Sequence, residues 1–338
     1  MQVTFGEARR PVEGDPMNGT QWTRRDFARH AGSCAAHLAL AATAAPLALR
    51  RLWAAQTTGS VLVREPFGRL EQVADGIWAL ISTPLSGDRT TLSNGGLIAG
   101  RNGLLAIEGF MMPAGASWLA ARARELTGRQ PSHVVVTHYH GDHANGVAGY
   151  VADGAAPMLR CTAETRDAVL SGNQPLDDAR SVALRGTVPL DPARETTIDL
   201  GGRIVRIVPR TGHTSSDVTV EIDEPSVVFC GDLVWNAMFP NYVDARPSEL
   251  ARSVSALRRT RQTIYVPGHG SVATEADVAR YAAMLGEVET AARTARTAGI
   301  PAAAAGSAFT LPESLGEWTL FNRVFFQRAF EAWYRELP

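Results

Sequence analysis

Apolar residues along the chain fall into short runs with two distinct periods. Val134-Val135-Val136 is a β-branched run that reads as a buried strand. Residues 71–82 and 94–107 are apolar segments interrupted by Gly and Asn and read as β-hairpins. Residues 157–161 read as a short strand, and 195–200, 203–209, 217–222 and 226–230 form a second β-rich half, with 263–266 as a further strand. Residues 114–126 have helical spacing, placing Trp118, Leu119, Ala123 and Leu126 on one face, and Thr127-Gly128 ends the helix. Further helices are expected from His143 towards Tyr150, over 162–170 with Thr162 as cap, over 247–260 and over 274–298. Residues 172–194 show no period and carry Pro175, Asp177 and Asp178, so they read as a long loop. After Gly299-Ile300-Pro301 an Ala/Gly linker leads to residues 313–337. There Trp318, Phe321, Phe325, Phe326, Phe330 and Trp333 sit at helical spacing and read as a packing helix. Pattern alone gives an α/β or α+β class.

One stretch stands out against this background. Residues 137–146 read THYHGDHANG, so His138, His140, Asp142 and His143 bring four metal-ligand side chains into six residues. They lie on the loop leaving the C-terminal end of a strand, where α/β folds commonly place chemistry. Clustered imidazoles and a carboxylate repel one another if the rings are protonated and cost desolvation if buried unpaired. A borderline cation such as zinc removes both problems, because it prefers neutral imidazole and carboxylate. A polar surface turn explains no such density of imidazole.

Composition narrows the chemistry further. The chain has 338 residues, 45% apolar and 20% charged, a globular balance. The net charge of −1 and the lack of a basic tract give no electrostatic footprint for nucleic acid. All 33 basic residues are arginine, which excludes Schiff-base chemistry, pyridoxal phosphate attachment and the phosphate-loop lysine. The three cysteines, Cys34, Cys161 and Cys230, have no C-x-x-C spacing and define no disulfide framework. Strand alternation would put Cys230 on the same face as Asp232, on the floor of a site, or it is a small buried hydrophobe.

The first 56 residues read as a separate segment. Thr23-Arg24-Arg25-Asp26-Phe27 precedes an alanine-rich, uncharged stretch over 31–49, which reads as a twin-arginine export leader cleaved between 44 and 56. An ordinary core helix or a weakly apolar membrane span are the competing readings. Export would make the protein periplasmic or otherwise extracytoplasmic, with the twin-arginine translocation machinery as a partner; an uncleaved leader would anchor it to the membrane instead.

The string H-x-H-x-D-H resembles the signature of the metallo-β-lactamase superfamily, and the resemblance extends over about residues 70–290. Later positions fit it: Thr211-Gly212-His213-Thr214, Asp232 after the apolar run 227–230, and Pro267-Gly268-His269-Gly270 follow in the expected order. The resemblance implies a four-layer αββα sandwich, with residues 57–300 as the catalytic domain and 301–338 as a C-terminal helical extension packed on the core. It implies two zinc ions, one held by His138, His140 and His213, the other by Asp142, His143 and His269, with Asp232 bridging. Such a pair holds a hydroxide as nucleophile, and Asp142 could also carry a proton to the leaving group. Glu108 stands where the family usually has aspartate, supporting the backbone of the metal loop. Tyr139, Asn236 and Tyr242 are candidate oxyanion or substrate contacts. The 172–194 segment falls near the site mouth, and the C-terminal aromatic helix could also roof the pocket.

True β-lactamases of this family usually carry Cys or Ser where this chain has Asp232. The implied reaction is therefore hydrolysis of an ester, thioester, lactone or related bond in a small-molecule substrate. A β-lactamase, a persulfide-dioxygenase-like enzyme with one iron, and a non-catalytic periplasmic metal-binding protein are the alternatives. Glyoxalase II recognises glutathione partly through lysines, which this chain lacks. Ribonuclease Z has a basic surface for tRNA, which fits neither the leader nor the net charge of −4 left by 26 arginines and 30 acids once residues 1–56 are removed.

Overall fold

The computed structural model describes residues 59–151, 154–171 and 178–338; the leader and Asp177 lie outside them. Eight strands form the first sheet in chain order: β1 (Ser60–Glu65), β2 (Gly68–Ala74), β3 (Ile77–Ser82), β4 (Gly95–Ala99), β5 (Leu104–Ile107), β6 (His133–Val135), β7 (Met158–Thr162) and β8 (Val188–Leu190). Pairing is antiparallel from β1 to β5 and parallel from β5 to β8. The second sheet is built from β9 (Thr196–Asp199), β10 (Ile204–Arg210), β11 (Asp217–Ile222), β12 (Val227–Trp235) and β13 (Ile264–His269), in the order β13-β12-β11-β10-β9. Only β12 and β13 in that sheet run parallel.

Period-2 alternation explains why the sheets stack. In β3, Ile77, Ala79 and Ile81 face the layer between the two sheets, where they meet Val205, Val218, Val220 and Phe229. Trp78 and Leu80 face outward, onto helix α1 (Pro113–Thr127). Both faces of β3 are thus covered, and all six residues are buried. The outer face of the second sheet is covered by α5 (Pro247–Leu257), α6 (Glu275–Thr297) and the C-terminal α8 (Val324–Glu336), which meet Val228, Cys230 and Trp235. The layers run helix, sheet, sheet, helix, an αββα sandwich with three apolar cores. Among the described residues no helix is long and apolar enough to cross a membrane.

Local signals account for the helix ends. Gly128 terminates α1 in the left-handed conformation, its N–H bonded to Arg124 O. Thr274 caps α6 in a reciprocal box with Asp277. The hydroxyl of Thr162 accepts from Thr165 N–H at 3.0 Å, starting α3 (Ala163–Ser171).

Five expectations are corrected. The metal loop opens a single turn, α2 (Gly141–Ala144), and then a separate 3-10 turn over Val147–Tyr150, so the chain does not run on as one helix. Residues 178–190 hold α4 (Asp178–Arg185) and β8 in place of a long loop. The Ala/Gly stretch after Pro301 is helix α7 (Ala302–Ala308), because alanine is the strongest helix former. A Cβ at Gly306 would come within 2.5 Å of Gln327 Cα, so the glycine there permits close packing on α8. Trp318 and Phe321 precede α8 and do not share its helical face. Leu126 is 38% exposed, since the buried stripe of α1 runs through Ala116, Leu119, Ala120 and Ala123.

Candidate metal centre

The ends of four strands converge at one edge of the sandwich. His138, His140, Asp142 and His143 follow β6, and His213 lies in the turn between β10 and β11. Asp232 lies within β12, and His269 is the last residue of β13. The loop after β6 is tied across to the second sheet by Val218 N–H, which donates to Thr137 O at 3.0 Å. All seven side chains are buried, and they form two groups: His138, His140, His213 and Asp232, and Asp142, His143 and His269.

Asp232 divides its oxygens between the groups. Oδ2 lies 3.1 Å from His213 Nε2 and 3.8 Å from His138 Nε2. Oδ1 lies 3.1 Å from His143 Nε2 and 3.3 Å from His269 Nε2. Asp142 Oδ2 closes the second group at 3.4 Å from His269 Nε2. In the first group His140 Nδ1 lies 3.1 Å from His138 Nε2 and 2.9 Å from His213 Nε2. Ligand atoms about 2.0–2.1 Å from a tetrahedral zinc sit about 3.3 Å apart, so this spacing suits the edges of such a shell.

Outer partners decide which ring nitrogens carry protons. The Thr137 hydroxyl donates to Glu108 Oε1 at 2.6 Å, so it accepts at 3.0 Å from His138 Nδ1–H and frees Nε2. His143 Nδ1 lies 3.0 Å from Glu108 Oε1, an ion-pair contact without hydrogen-bond alignment that favours the proton on Nδ1 and leaves Nε2 to the centre. His140 Nε2–H donates to Asp244 Oδ2 at 2.9 Å, which frees Nδ1. Bare lone pairs therefore face one another across the centre, an arrangement that needs a cation between them. Asp142 Oδ1 and Oδ2, Asp232 Oδ1 and His269 Nε2 are likewise buried without a hydrogen-bond partner.

Charge points the same way. Burial works against ionising Asp232, but His269, His143 and His213 outweigh it and hold its pKa well below the usual carboxylate range. Burial also opposes protonation of His143, yet Asp232, Glu108 and Asp142 lift it well above its ordinary value. His269 rises to about 9 against the same burial cost, chiefly through Asp232 and Asp142. Burial and the neighbouring His143 depress His138. The site thus demands positive charge, which a dication supplies without protons on the ligand atoms. Imidazole nitrogen and carboxylate oxygen are a zinc donor set.

A family profile described as the metallo-beta-lactamase superfamily matches residues 92–269, which contain all seven residues. The chain belongs to this superfamily. A hydroxyacylglutathione hydrolase of Acidiphilium cryptum (strain JF-5) is 29% identical over 221 residues, covering 62% of this chain and 76% of that protein. An atrochrysone carboxyl ACP thioesterase of Aspergillus fumigatus is 26% identical over 212 residues, 59% of this chain and 43% of that protein. Among solved structures, a metallo-beta-lactamase from Pontibacter korlensis superposes with a TM-score of 0.53 at 18% identity, covering 64% of this chain and 98% of its own. One from Erythrobacter litoralis, with beta mercaptoethanol in its active site, gives 0.51 at 19%, with 67% and 99% covered. At such identities the structures show the superfamily fold alone.

Within this superfamily member, several supporting side chains escape a reading of motifs. Asp217 accepts from His213 N–H at 3.0 Å and from the Thr214 hydroxyl at 2.7 Å, shaping the His213 turn. Burial pushes its carboxyl up to about 7, against the pull of the Thr214 donors. The run Thr214-Ser215-Ser216-Asp217 after a Gly-His pair was the available signal for such a turn. Asp244 had none, because its partner lies 104 positions away. Asn94 Nδ2 donates to Pro267 O and Gly270 O, both at 2.8 Å, tying the first sheet to the His269 turn.

Backbone strain gathers here as well. Among the described residues the non-glycine positions at positive φ are Leu92, Glu108, Phe110 and Ala237, and the first three lie on segments bonded to the metal loop. Next to Leu92, the Ser93 hydroxyl donates to Asp142 O at 2.6 Å; Phe110 O accepts from Gly146 N–H at 2.9 Å.

Of the candidate substrate contacts, Tyr139 and Tyr242 are buried, and the Asn236 amide donates to Ser271 O at 3.0 Å. Cys230 does not reach the site floor. Gly231, at φ +52°, shifts the register of β12, and Cys230 packs in the outer core with α5 and α6.

Proposed function

We propose that this chain is a dinuclear zinc-dependent hydrolase of an ester, thioester, lactone or related bond. The observation that carries the reading is Asp232, whose two oxygens face two separate and otherwise complete ligand groups. The relatives named as a hydrolase and a thioesterase support the same class. His138, His140 and His213 would hold one ion, Asp142, His143 and His269 the other, and Asp232 both. When bound, zinc supplies a Lewis acid and a water ionised near neutral pH. Glu108, Thr137 and Asp244 keep the ligand nitrogens unprotonated, and the buried walls limit water at the reacting bond. Asp142 Oδ1 has no hydrogen-bond partner in the protein and is the oxygen available to pass a proton to the leaving group.

The test is metal analysis of the purified chain, followed by a hydrolysis panel of esters, thioesters including an acylglutathione, lactones, phosphodiesters and β-lactams. Two zinc per chain with turnover of a carboxylic ester or thioester is expected. One iron would replace this reading with the dioxygenase, turnover of β-lactams alone with the lactamase, and silence across the panel with a metal-binding protein.

The reading includes export by the twin-arginine route, supported by Arg24-Arg25 ahead of the alanine-rich stretch. Changing both arginines to lysine should retain the protein in the cytoplasm; undiminished export would remove the leader assignment.

A further inference from the structure

Two outer contacts of the ligand histidines come from one segment, residues 235–246, which runs from the last residue of β12 into the loop before α5. At its start the Trp235 ring stacks on His269, with centroids 4.0 Å apart at 43°. Near its end Asp244 takes the Nε2–H of His140. The loop also contains Ala237 at φ 54°, a left-handed conformation that residues other than glycine rarely adopt. Such a residue persists only where its surroundings impose it.

The surroundings are the C-terminal segment, which lies beyond the residues matched by the family profile. Thr319 bridges Met238 in parallel; its N–H donates to Ala237 O at 2.9 Å, and its carbonyl accepts from Phe239 N–H at 3.0 Å. Arg328 Nη1 donates to Asn241 Oδ1 at 3.0 Å, and Arg335 Nη2 to Ala245 O at 3.4 Å. Glu336 Oε2 accepts from Ser248 N–H at 3.0 Å, where α5 begins. Phe321 and Phe325 set their edges against Trp235, at 6.3 Å and 6.4 Å between centroids. Trp235 is thereby clamped between the C-terminal aromatics and His269.

We propose that Thr319, Phe321, Phe325, Arg328, Arg335 and Glu336 of the C-terminal segment are positioning residues of the metal centre. They fix the 236–246 loop and, through Trp235 and Asp244, set the orientation of His269 and His140. The proposal rests on those histidines serving as ligands, as in the hydrolase reading.

The test uses the full chain carrying Phe321→Ala or Arg328→Gln, with Trp333→Phe as control. Trp333 belongs to the same apolar core on α8, and its ring packs under Arg293 of α6 at 5.8 Å. Zinc affinity is measured by chelator competition, ligand geometry by the visible spectrum after cobalt substitution, and stability by melting of the metal-free protein. Loss of an outer partner of a ligand typically weakens metal binding about 10–100-fold. Each test variant should lose about tenfold, the low end of that range, because it acts one residue further out, and should shift the cobalt bands. The control should melt lower yet keep wild-type affinity and spectrum. Arg328→Gln removes a half-buried side chain and keeps the proposal testable should Phe321→Ala fail to fold. Wild-type affinity and spectrum in the test variants would overturn the proposal, as would an equal loss in the control. A wild-type chain that binds no zinc would overturn the hydrolase reading along with it.

Discussion

Glu108→Gln separates the charge of one supporting side chain from its shape. Two donors meet its oxygens at a buried position, the Thr137 hydroxyl at 2.6 Å on Oε1 and Thr137 N–H at 3.2 Å on Oε2, and His143 Nδ1 makes an ion-pair contact with Oε1 at 3.0 Å. Glutamine keeps one oxygen. With that oxygen towards Thr137 Oγ1 and His143, the amide nitrogen meets Thr137 N–H donor to donor. Turned the other way, the amide nitrogen faces His143 Nδ1, and the charge contact that holds this imidazole in place is lost. The first arrangement loses a hydrogen bond to a charged acceptor, about 1.5–3 kcal/mol, and leaves a buried N–H unpaired, about 1–3 kcal/mol. These losses overlap, so the expected destabilisation is about 2–4 kcal/mol. At about 2–4 °C per kcal/mol for a domain of this size, the metal-free protein should melt roughly 5–15 °C lower. The second arrangement should appear as a loss of zinc affinity of about 10–100-fold. Thermal melting in chelator and a zinc competition titration read both quantities. An unchanged melting temperature together with wild-type zinc affinity would refute the role given to this carboxylate.

Three further outcomes follow from the same geometry. Gly268→Ala would place a Cβ 1.9 Å from Asp232 Oδ1 and 2.8 Å from the Gly231 carbonyl carbon, so the variant should be purified with depleted zinc; normal zinc content would contradict the placement of Asp232. Asp142→Asn at saturating zinc should slow substrates with poor leaving groups far more than those with good ones, whereas a uniform loss of rate would confine Asp142 to ligation. Burial raises the Glu221 pKa, but the Thr219 hydroxyl, Arg210 and Arg259 outweigh it, so the folded value lies below the ordinary 4.5. Its stabilisation is therefore present above the unfolded value and lost as pH falls through the folded one, so metal-free Glu221→Gln should lose less stability than wild type from about pH 5 downward. Parallel acid profiles for the two would count against the ion cluster.

Legibility in the sequence followed the range over which each cause acts. The metal loop was readable because one strand exit packs four ligands into six residues, and the hairpins because Gly and Asn mark their turns. Alternation along a strand was the basis for placing Cys230 beside Asp232. It failed at Cys230, because the left-handed Gly231 resets the register of β12, and nothing local distinguishes that glycine from an ordinary turn. Alanine-rich α7 looked like a linker because Gly306 weakens its helical pattern. The reason for that glycine, the nearby backbone of α8, is a tertiary contact. Asp244 was invisible for the same reason: a carboxylate in the loop between a strand and a helix has no signature until the fold brings His140 to it.

The centre is also costly to assemble without an ion. Both Asp142 oxygens and Asp232 Oδ1 are buried and unpaired, lone pairs of His138 and His140 face each other, and Glu108 and Phe110 hold left-handed conformations beside them. None of this is stabilising by itself; the three apolar cores outweigh it. A ligand that binds only the folded form adds RT ln(1 + [L]/Kd) to stability, and a preformed cage places little conformational cost on that binding. Zinc should thus raise the melting temperature more than the peripheral ion pairs do, and the folded chain should be the form that captures it. Under the proposed export, the twin-arginine route would carry the protein after it has folded. A chain whose metal site exists only after folding would then cross with its ions in place.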